Sequence, residues 1–357
     1  MRPASEDVPR LLLVVADIAS QRRRLTRALL DRCERESLDV QIVDLAADLN
    51  LGALSPPIQR CEIDGWAEQI WLDLAPALTP WLELLELEAA GSERPAIGSI
   101  PGLDTVLRAL FLAQCWHDLP QGSHLLVVLP PPAQAVEILQ LLRRGPALLE
   151  GLWKPLLAWW SLTRQRLAQF ELVLRLRLPT AESLELSPAW RSRLQRLAAR
   201  LSDRVEPVEA VLGLSVETED LPLLDGRVAA LPLCGLSHLR LWLEARLPNS
   251  VVKQLDSHWQ LPLLVGRAGT SGPDFATWLA QPLIRDSRLW LKDSQGTRCR
   301  LFLPGVGREG LQVRHLEELL LIRWAGLRLE VPLPDDWSQL ACRSARVEAP
   351  WLELGFS

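Results

Sequence analysis

The 357-residue sequence contains no tyrosine, one methionine and only three lysines among its 39 basic residues. We interpret the excess of arginine over lysine as a coding bias and draw no function from it. The formal net charge is −5, so no basic field favours nucleic acid as a partner. The longest apolar stretch, residues 148–162, contains Glu150, Lys154 and Pro155. It is too short and too polar for a transmembrane segment.

The six cysteines are scattered, and no two form a CxxC pair. No cluster of histidines lies near them, which argues against a zinc site and against a redox pair. We therefore predict no metal site. The sequence shows no signal peptide, so we expect reduced thiols in a cytoplasmic protein.

Continuous apolar runs at residues 10–15, 40–43 and 125–129 fit strands that are buried on both faces, as in parallel sheets. Between the first two runs, Leu25, Leu29 and Cys33 recur at helical spacing. The helix would begin at Ser20, a good N-cap residue. This strand–helix–strand start predicts an α/β fold with a doubly wound, mostly parallel sheet.

Further elements follow from the same patterns. Helices are predicted at residues 66–88, 103–116, 134–143, 147–169 and 187–203, and strands at residues 172–178 and 228–233. We assign residues 1–250 to the α/β domain with a helical subdomain. Residues 251–297 are predicted to be a connector with helical pieces.

Apolar and polar residues alternate with a period of two over residues 298–357, in short runs that end at turn signals such as Pro304-Gly305. Alternation places successive side chains on opposite faces of a sheet. These residues are predicted to form a small antiparallel β-sandwich.

One of these strands ends at residues 332–334 (PLP), and a closing strand follows it. This order of strands resembles that of a known family. It resembles the small-heat-shock-protein (α-crystallin-like) domain that is fused to some ArsA/GET-type ATPases. The segments VQIVDLAADLNLGAL and HLLVVLPPPAQAVEILQLL resemble the two switch regions of that family. The resemblance implies a P-loop NTPase-like core, a homodimer, and a groove for hydrophobic client helices in the helical subdomains.

The residues that would bind phosphate are missing. A phosphate-binding loop needs glycine for close backbone approach, one lysine, and a serine or threonine for Mg²⁺. Residues 14–30, VVADIASQRRRLTRALL, contain no glycine. By the resemblance, Arg22 falls near the loop lysine and Arg23 near the Mg²⁺-binding threonine.

The resemblance places Ala46 and Leu129 where the family carries the two switch aspartates, and only Pro132 remains of the second switch motif. Phosphoryl transfer depends on metal, phosphate cradle and positioned water together. We therefore predict a pseudo-ATPase with no catalytic residue and no cofactor. ATP and Mg²⁺ would bind only if the degenerate loop, with Ser20, Arg22, Arg23 and Arg24, still functions.

Two alternatives stay open at these positions. The arginines 22–24 could bind an anion or an acidic partner, or they could form a solvated turn. We favour the solvated turn, because exposed positive charges at a helix N-terminus lower its stability by only about 0.3–1 kcal/mol. Asp44 and Asp48 could be remnants of a Mg²⁺ or water site. Without a phosphate loop, we favour a role in turns and caps.

An apolar stretch in the helical part could line a client groove or form ordinary core, and we weigh the two evenly. It contains Trp153, Leu156, Leu157, Trp159 and Trp160, with Trp66, Trp71 and Trp81 as further candidates. The predicted function is a non-hydrolysing, chaperone-like or binding protein for hydrophobic segments or a protein partner. The alternatives are an active ATPase with an atypical loop and a structural subunit.

Overall fold

The structure, a computed structural model, describes residues 9–52, 57–68, 103–145, 161, 188–202, 208–217, 223–266, 272–283, 288–293, 296–316, 318–337 and 339–357. The chain divides into two units. The first comprises Met1–Gln59, Leu119–Val136 and Leu201–Ser357, and the second comprises Arg60–Asp118 and Glu137–Arg200.

The first unit contains a sheet with seven strands among the described residues, in the order β3-β2-β4-β1-β5-β6-β7. Each adjacent pair from β2 to β7 is parallel. The strands are β1 (Leu11–Ala16), β2 (Val40–Asp44), β3 (Ile58–Arg60), β4 (His124–Val128), β5 (Glu209–Ser215), β6 (His238–Glu244) and β7 (Leu263–Gly266). The predicted α/β fold with a mostly parallel sheet is confirmed, and β1, β2 and β4 match the three apolar runs that predicted them.

Eight helices lie wholly or partly within the described residues. They are α1 (Ala19–Arg35), α2 (described over 63–68), α3 (Leu103–His117), α4 (132–145), α5 (Pro188–Leu201), α6 (Leu224–Leu233), α7 (Asn249–Trp259) and α8 (Gly272–Leu279). The predicted helices at 103–116, 134–143 and 187–203 are confirmed as α3, α4 and α5.

Helix α1 packs on the parallel sheet through Leu25, Leu29 and Cys33, as its periodicity predicted. It comes closest at Gly213 of β5. A Cβ atom there would lie 2.9 Å from Cδ1 of Leu25 and 3.1 Å from Cβ of Ala16. A glycine inside a strand often marks such a close approach, and here it lets α1 lie directly on the sheet.

The second unit is helical where the structure describes it. Trp66 lies edge-on to both Phe111 and Trp190, with ring centroids 5.3 and 6.0 Å away. Leu107 and Ala67 complete this small core. The part of the second unit that the structure describes therefore agrees with the predicted helical insertion, and Trp66 is partly buried and packs against this core.

The prediction of a strand at residues 228–233 is wrong, because these residues belong to α6. The run VAALPL is apolar on every side, so periodicity could not separate a buried strand from a buried helix. Helix α6 contacts β6 of the parallel sheet and β12 of the C-terminal sheets. A helix between two layers is apolar all round, which accounts for the misleading pattern.

The C-terminal residues form two antiparallel sheets, which confirms the predicted small sandwich. One contains β10 (Gln312–Leu316), β11 (Leu319–Trp324) and β12 (Leu327–Pro332). The other has the order β13-β14-β9-β8, from β8 (Arg288–Asp293), β9 (Gly296–Phe302), β13 (Cys342–Glu348) and β14 (Trp351–Phe356). Alternate residues of β9, β11, β12 and β14, such as Leu301, Ile322, Val331 and Leu354, share one core.

The predicted connector, residues 251–297, contains the expected helical pieces, α8 and most of α7. It also contains β7, the last strand of the parallel sheet, and β8, a strand of the antiparallel sheet. Several other predictions lie outside the described residues. These are the helix at 147–169 except residue 161, the helix at 66–88 beyond residue 68, and the strand at 172–178.

Candidate functional site

The candidate site is the carboxyl edge of the parallel sheet, where α/β proteins bind ligands beside the point at which strand order reverses. Strand β1 lies at that point, between β4 and β5. Only Asp17 and Ile18 connect β1 to α1. The backbone nitrogens of Gln21 and Arg22 already donate to the Ile18 carbonyl oxygen at 3.1 Å.

This short connection corrects the predicted helix start. Ile18 is the N-cap residue of α1, and no side chain caps the helix. Ser20 was predicted to be the cap, but it lies exposed within the first turn. Only two residues separate the end of the strand from the start of the helix. This connection is too short to wrap around a phosphate group.

Arg22 is buried, with only 4% of its surface exposed. Its Nη1 donates to the carbonyl oxygen of Ala16 at 2.7 Å, and its Nε donates to Oδ1 of Asp48 at 3.2 Å. Its Nη2 pairs with Oδ2 of the same carboxylate. Our preference for a solvated turn is therefore wrong for Arg22, since its charge is neutralised inside the protein.

The other two arginines of this turn differ from each other. Arg23 is exposed, as a solvated turn predicts. Arg24 is half-buried, and its Nη2 donates to Oε1 of Glu244 at 3.0 Å. Its guanidinium also lies 4.9 Å from the ring centroid of Trp242. Gln21 completes this cluster because its amide donates to the second oxygen of Glu244 at 2.9 Å.

A third ion pair joins Asp17 and Arg227, which no sequence pattern indicated. Oδ2 of Asp17 accepts from the backbone nitrogen of Ser215 at 2.7 Å and pairs with Arg227 of α6. Nη1 of Arg227 also donates to the carbonyl oxygen of Ser215 at 3.3 Å. Asp17 and Arg227 are 210 residues apart, so no spacing in the sequence could have revealed the pair.

Three arginines of this edge therefore meet one carboxylate each, in the pairs Arg22–Asp48, Arg24–Glu244 and Arg227–Asp17. Each pair joins two different elements or loops of the first unit. These three positive charges are each balanced by a carboxylate of the chain, whereas Arg23 stays exposed.

The resemblance places the first remnant switch in the segment after β2, and in the structure that segment is a backbone turn. The Asp44 carboxylate accepts from the backbone nitrogens of Ala46, Ala47 and Leu49 at 3.1, 3.0 and 2.9 Å. Asp44 is completely buried. Burial, together with the nearby charge of Asp48, raises the pKa of its carboxyl above the ordinary value, although the three hydrogen bonds act in the opposite direction. Asp44 thus makes the turn contacts that we favoured for both aspartates, whereas the carboxylate of Asp48 pairs with Arg22.

The second remnant switch has no charged group. Leu129 is buried, and its backbone nitrogen donates to the carbonyl oxygen of Val14 at 2.9 Å. Pro132 is the first residue of α4, a position that tolerates proline because the N–H there is unpaired in any case. Both positions thus carry structural roles.

No group of three or more potential ligand residues that could hold a metal ion occurs in the described part of the chain. The six cysteines are thiols, and five of them are buried. Burial raises the pKa of Cys33 to about 11 and that of Cys115 to about 12, which makes both thiols unreactive.

The predicted client groove, formed by Trp153, Leu156, Leu157, Trp159 and Trp160, lies outside the described residues, as do Trp71 and Trp81. No helix within the described ranges is long and apolar enough to cross a membrane. Neither a protein-family model nor a curated protein matches the chain. The resemblance to ArsA/GET ATPases therefore stays a prediction.

Proposed function

We propose that this chain is a non-hydrolysing binding protein with a pseudo-ATPase core, acting on a protein partner or a hydrophobic segment of one. The observation that carries the proposal is the two-residue connection between β1 and α1, with its neighbouring arginines paired to internal carboxylates. Phosphoryl transfer needs a cradle, a metal and an oriented water molecule. The resemblance to the ArsA/GET family adds the expectation of a cytoplasmic homodimer.

Exposed apolar side chains at the same edge support a protein partner. Leu223, directly before α6, is 67% exposed, and Ile18, directly before α1, is 46% exposed. Leu223 precedes Arg227 by one helical turn, and Ile18 follows Asp17, so both flank the Asp17–Arg227 ion pair. Large apolar side chains around a neutralised pair suit contact with another apolar surface.

The first experiment is titration calorimetry of the purified protein with Mg-ATP and with Mg-ADP. We expect no saturable heat at millimolar nucleotide. Micromolar binding would overturn the pseudo-ATPase assignment and favour the alternative of an ATPase with an atypical loop. Loss of such binding in Arg22→Ala would then place nucleotide at this edge.

The second experiment measures fluorescence anisotropy of a labelled apolar helical peptide of about 20 residues. Burial of a leucine side chain contributes about 1.5–3 kcal/mol. Leu223→Ser should therefore weaken binding about ten-fold or more. Leu316→Ser, at a residue of β10 that is 45% exposed, is the matched control and should have no effect. Absence of any peptide binding would favour the structural-subunit alternative.

A further inference from the structure

A cavity of about 290 Å³ lies at the amino end of the parallel sheet, at the opposite strand ends from the candidate site. Its charged side comes from the end of α1 and from the first residues of β5 and β6. Its other side comes from α8 and the residues that follow it. The volume is near the lower limit of small-molecule pockets, which is about 300 Å³.

Glu209 anchors the charged side between two arginines. Nη1 of Arg32 donates to both of its carboxylate oxygens, at 2.8 and 3.0 Å. Nε of Arg240 donates to one of them at 2.8 Å. Arg240 is only 3% exposed, and its Nη1 donates to the carbonyl oxygen of Trp278 at 3.1 Å. The two guanidinium groups are therefore fixed before any ligand arrives.

These arginines keep donors available for a ligand. Nε of Arg32 donates to Glu36 at 2.8 Å, but the Nη2 groups of Arg32 and Arg240 donate to no residue that the structure describes. Both Nη2 groups remain accessible to solvent. Including Arg35, three arginines and two glutamates line the cavity, so its lining carries one net positive charge.

The opposite side of the cavity is largely apolar, with Leu279, Pro282 and Leu283 among its residues, and Gln281 is its polar residue. The Nη2 group of each arginine can donate a charge-assisted hydrogen bond to a carboxylate oxygen of a ligand. An apolar wall contacts a hydrocarbon chain and offers nothing to a fully hydrated inorganic anion. We propose that this cavity binds a small monocarboxylate with a short aliphatic chain.

The test is titration of the full chain with hexanoate, with hexanamide and phosphate as comparison probes. Saturable binding of hexanoate is expected, with hexanamide at least ten-fold weaker and phosphate without measurable binding. Equal binding of hexanamide would refute recognition of the charge. Equal binding of phosphate would refute the monocarboxylate class.

Two variants locate the site. Ala276→Leu narrows the cavity from α8 without touching a charged residue and should weaken hexanoate at least ten-fold. Ala199→Leu, at an exposed position of α5, is the matched control and should bind as the parent does. Arg240→Met should also lose binding. If Ala276→Leu left the affinity unchanged in a folded protein, hexanoate would be binding elsewhere and the proposal would fail.

Discussion

The contact between the sandwich and α6 depends on Gly305. This residue has φ of +82° and lies in the turn that follows β9. A Cβ atom at this position would lie 2.3 Å from the carbonyl oxygen of Asp225 and 3.1 Å from the backbone nitrogen of Ala229. Both atoms belong to the backbone of α6, so neither can rotate away as a side chain could.

The cost of Gly305→Ala has two parts. A left-handed conformation costs a residue with a Cβ atom about 1–2 kcal/mol. The steric overlap forces a backbone shift, and overpacking of this kind costs about 1–3 kcal/mol. We therefore expect the free energy of unfolding to fall by about 2–5 kcal/mol.

Gly326→Ala separates the two parts. Gly326 has φ of +79°, and a Cβ atom there would meet no atom within 4 Å. This control should lose only the conformational part. Urea unfolding of both variants, followed by tryptophan fluorescence, measures the difference directly. Equal losses in the two variants would refute the claim that the sandwich turn is packed tightly against α6.

Two further predictions concern charge. Asp48→Asn leaves the buried guanidinium of Arg22 without a counter-charge and should cost about 3 kcal/mol in urea unfolding. Adding Arg22→Met should recover most of that loss, and simple additivity would contradict a coupled pair. Burial lowers the pKa of His124 and of His238, so the unfolded chain binds more protons near pH 6.5. Stability should therefore fall as pH drops from 7.5 through 6.5 and level off below the folded-state pKa values. An unchanged pH slope after both histidines are replaced by asparagine would contradict this reasoning.

The strands that could be predicted are those whose burial is visible as an uninterrupted apolar run. β1 and β4 are completely buried and contain no charged residue. β5 and β6 were missed, because each carries an ionic residue that the fold neutralises. Glu209 begins β5, and Arg240 lies within β6, and the two are paired with each other. The sequence reveals such a charge but not its partner.

The partners of charged residues could not be predicted at the candidate site either. The absence of glycine between β1 and α1 is visible in the sequence, and it predicts that this connection is not a phosphate loop; the two-residue connection agrees with that prediction. The burial and pairing of the arginines could not be predicted from the sequence, because the partner of Arg22 is Asp48, which follows another strand. Pairs that join distant strands can be recognised only after the strand order is known.

The carboxyl edge of the parallel sheet contains an anionic group of the chain itself, the carboxylate of Asp17. The N-terminus of a helix carries partial positive charge and favours an anion. Asp17 lies two residues before α1. Its carboxylate accepts a hydrogen bond from the end of β5 and pairs with Arg227 in the first turn of α6. One carboxylate of the chain thus links β1, β5 and α6 at the edge where other α/β proteins hold a phosphate group. Because this carboxylate belongs to the chain itself, the contact supports the proposal that the edge binds no nucleotide.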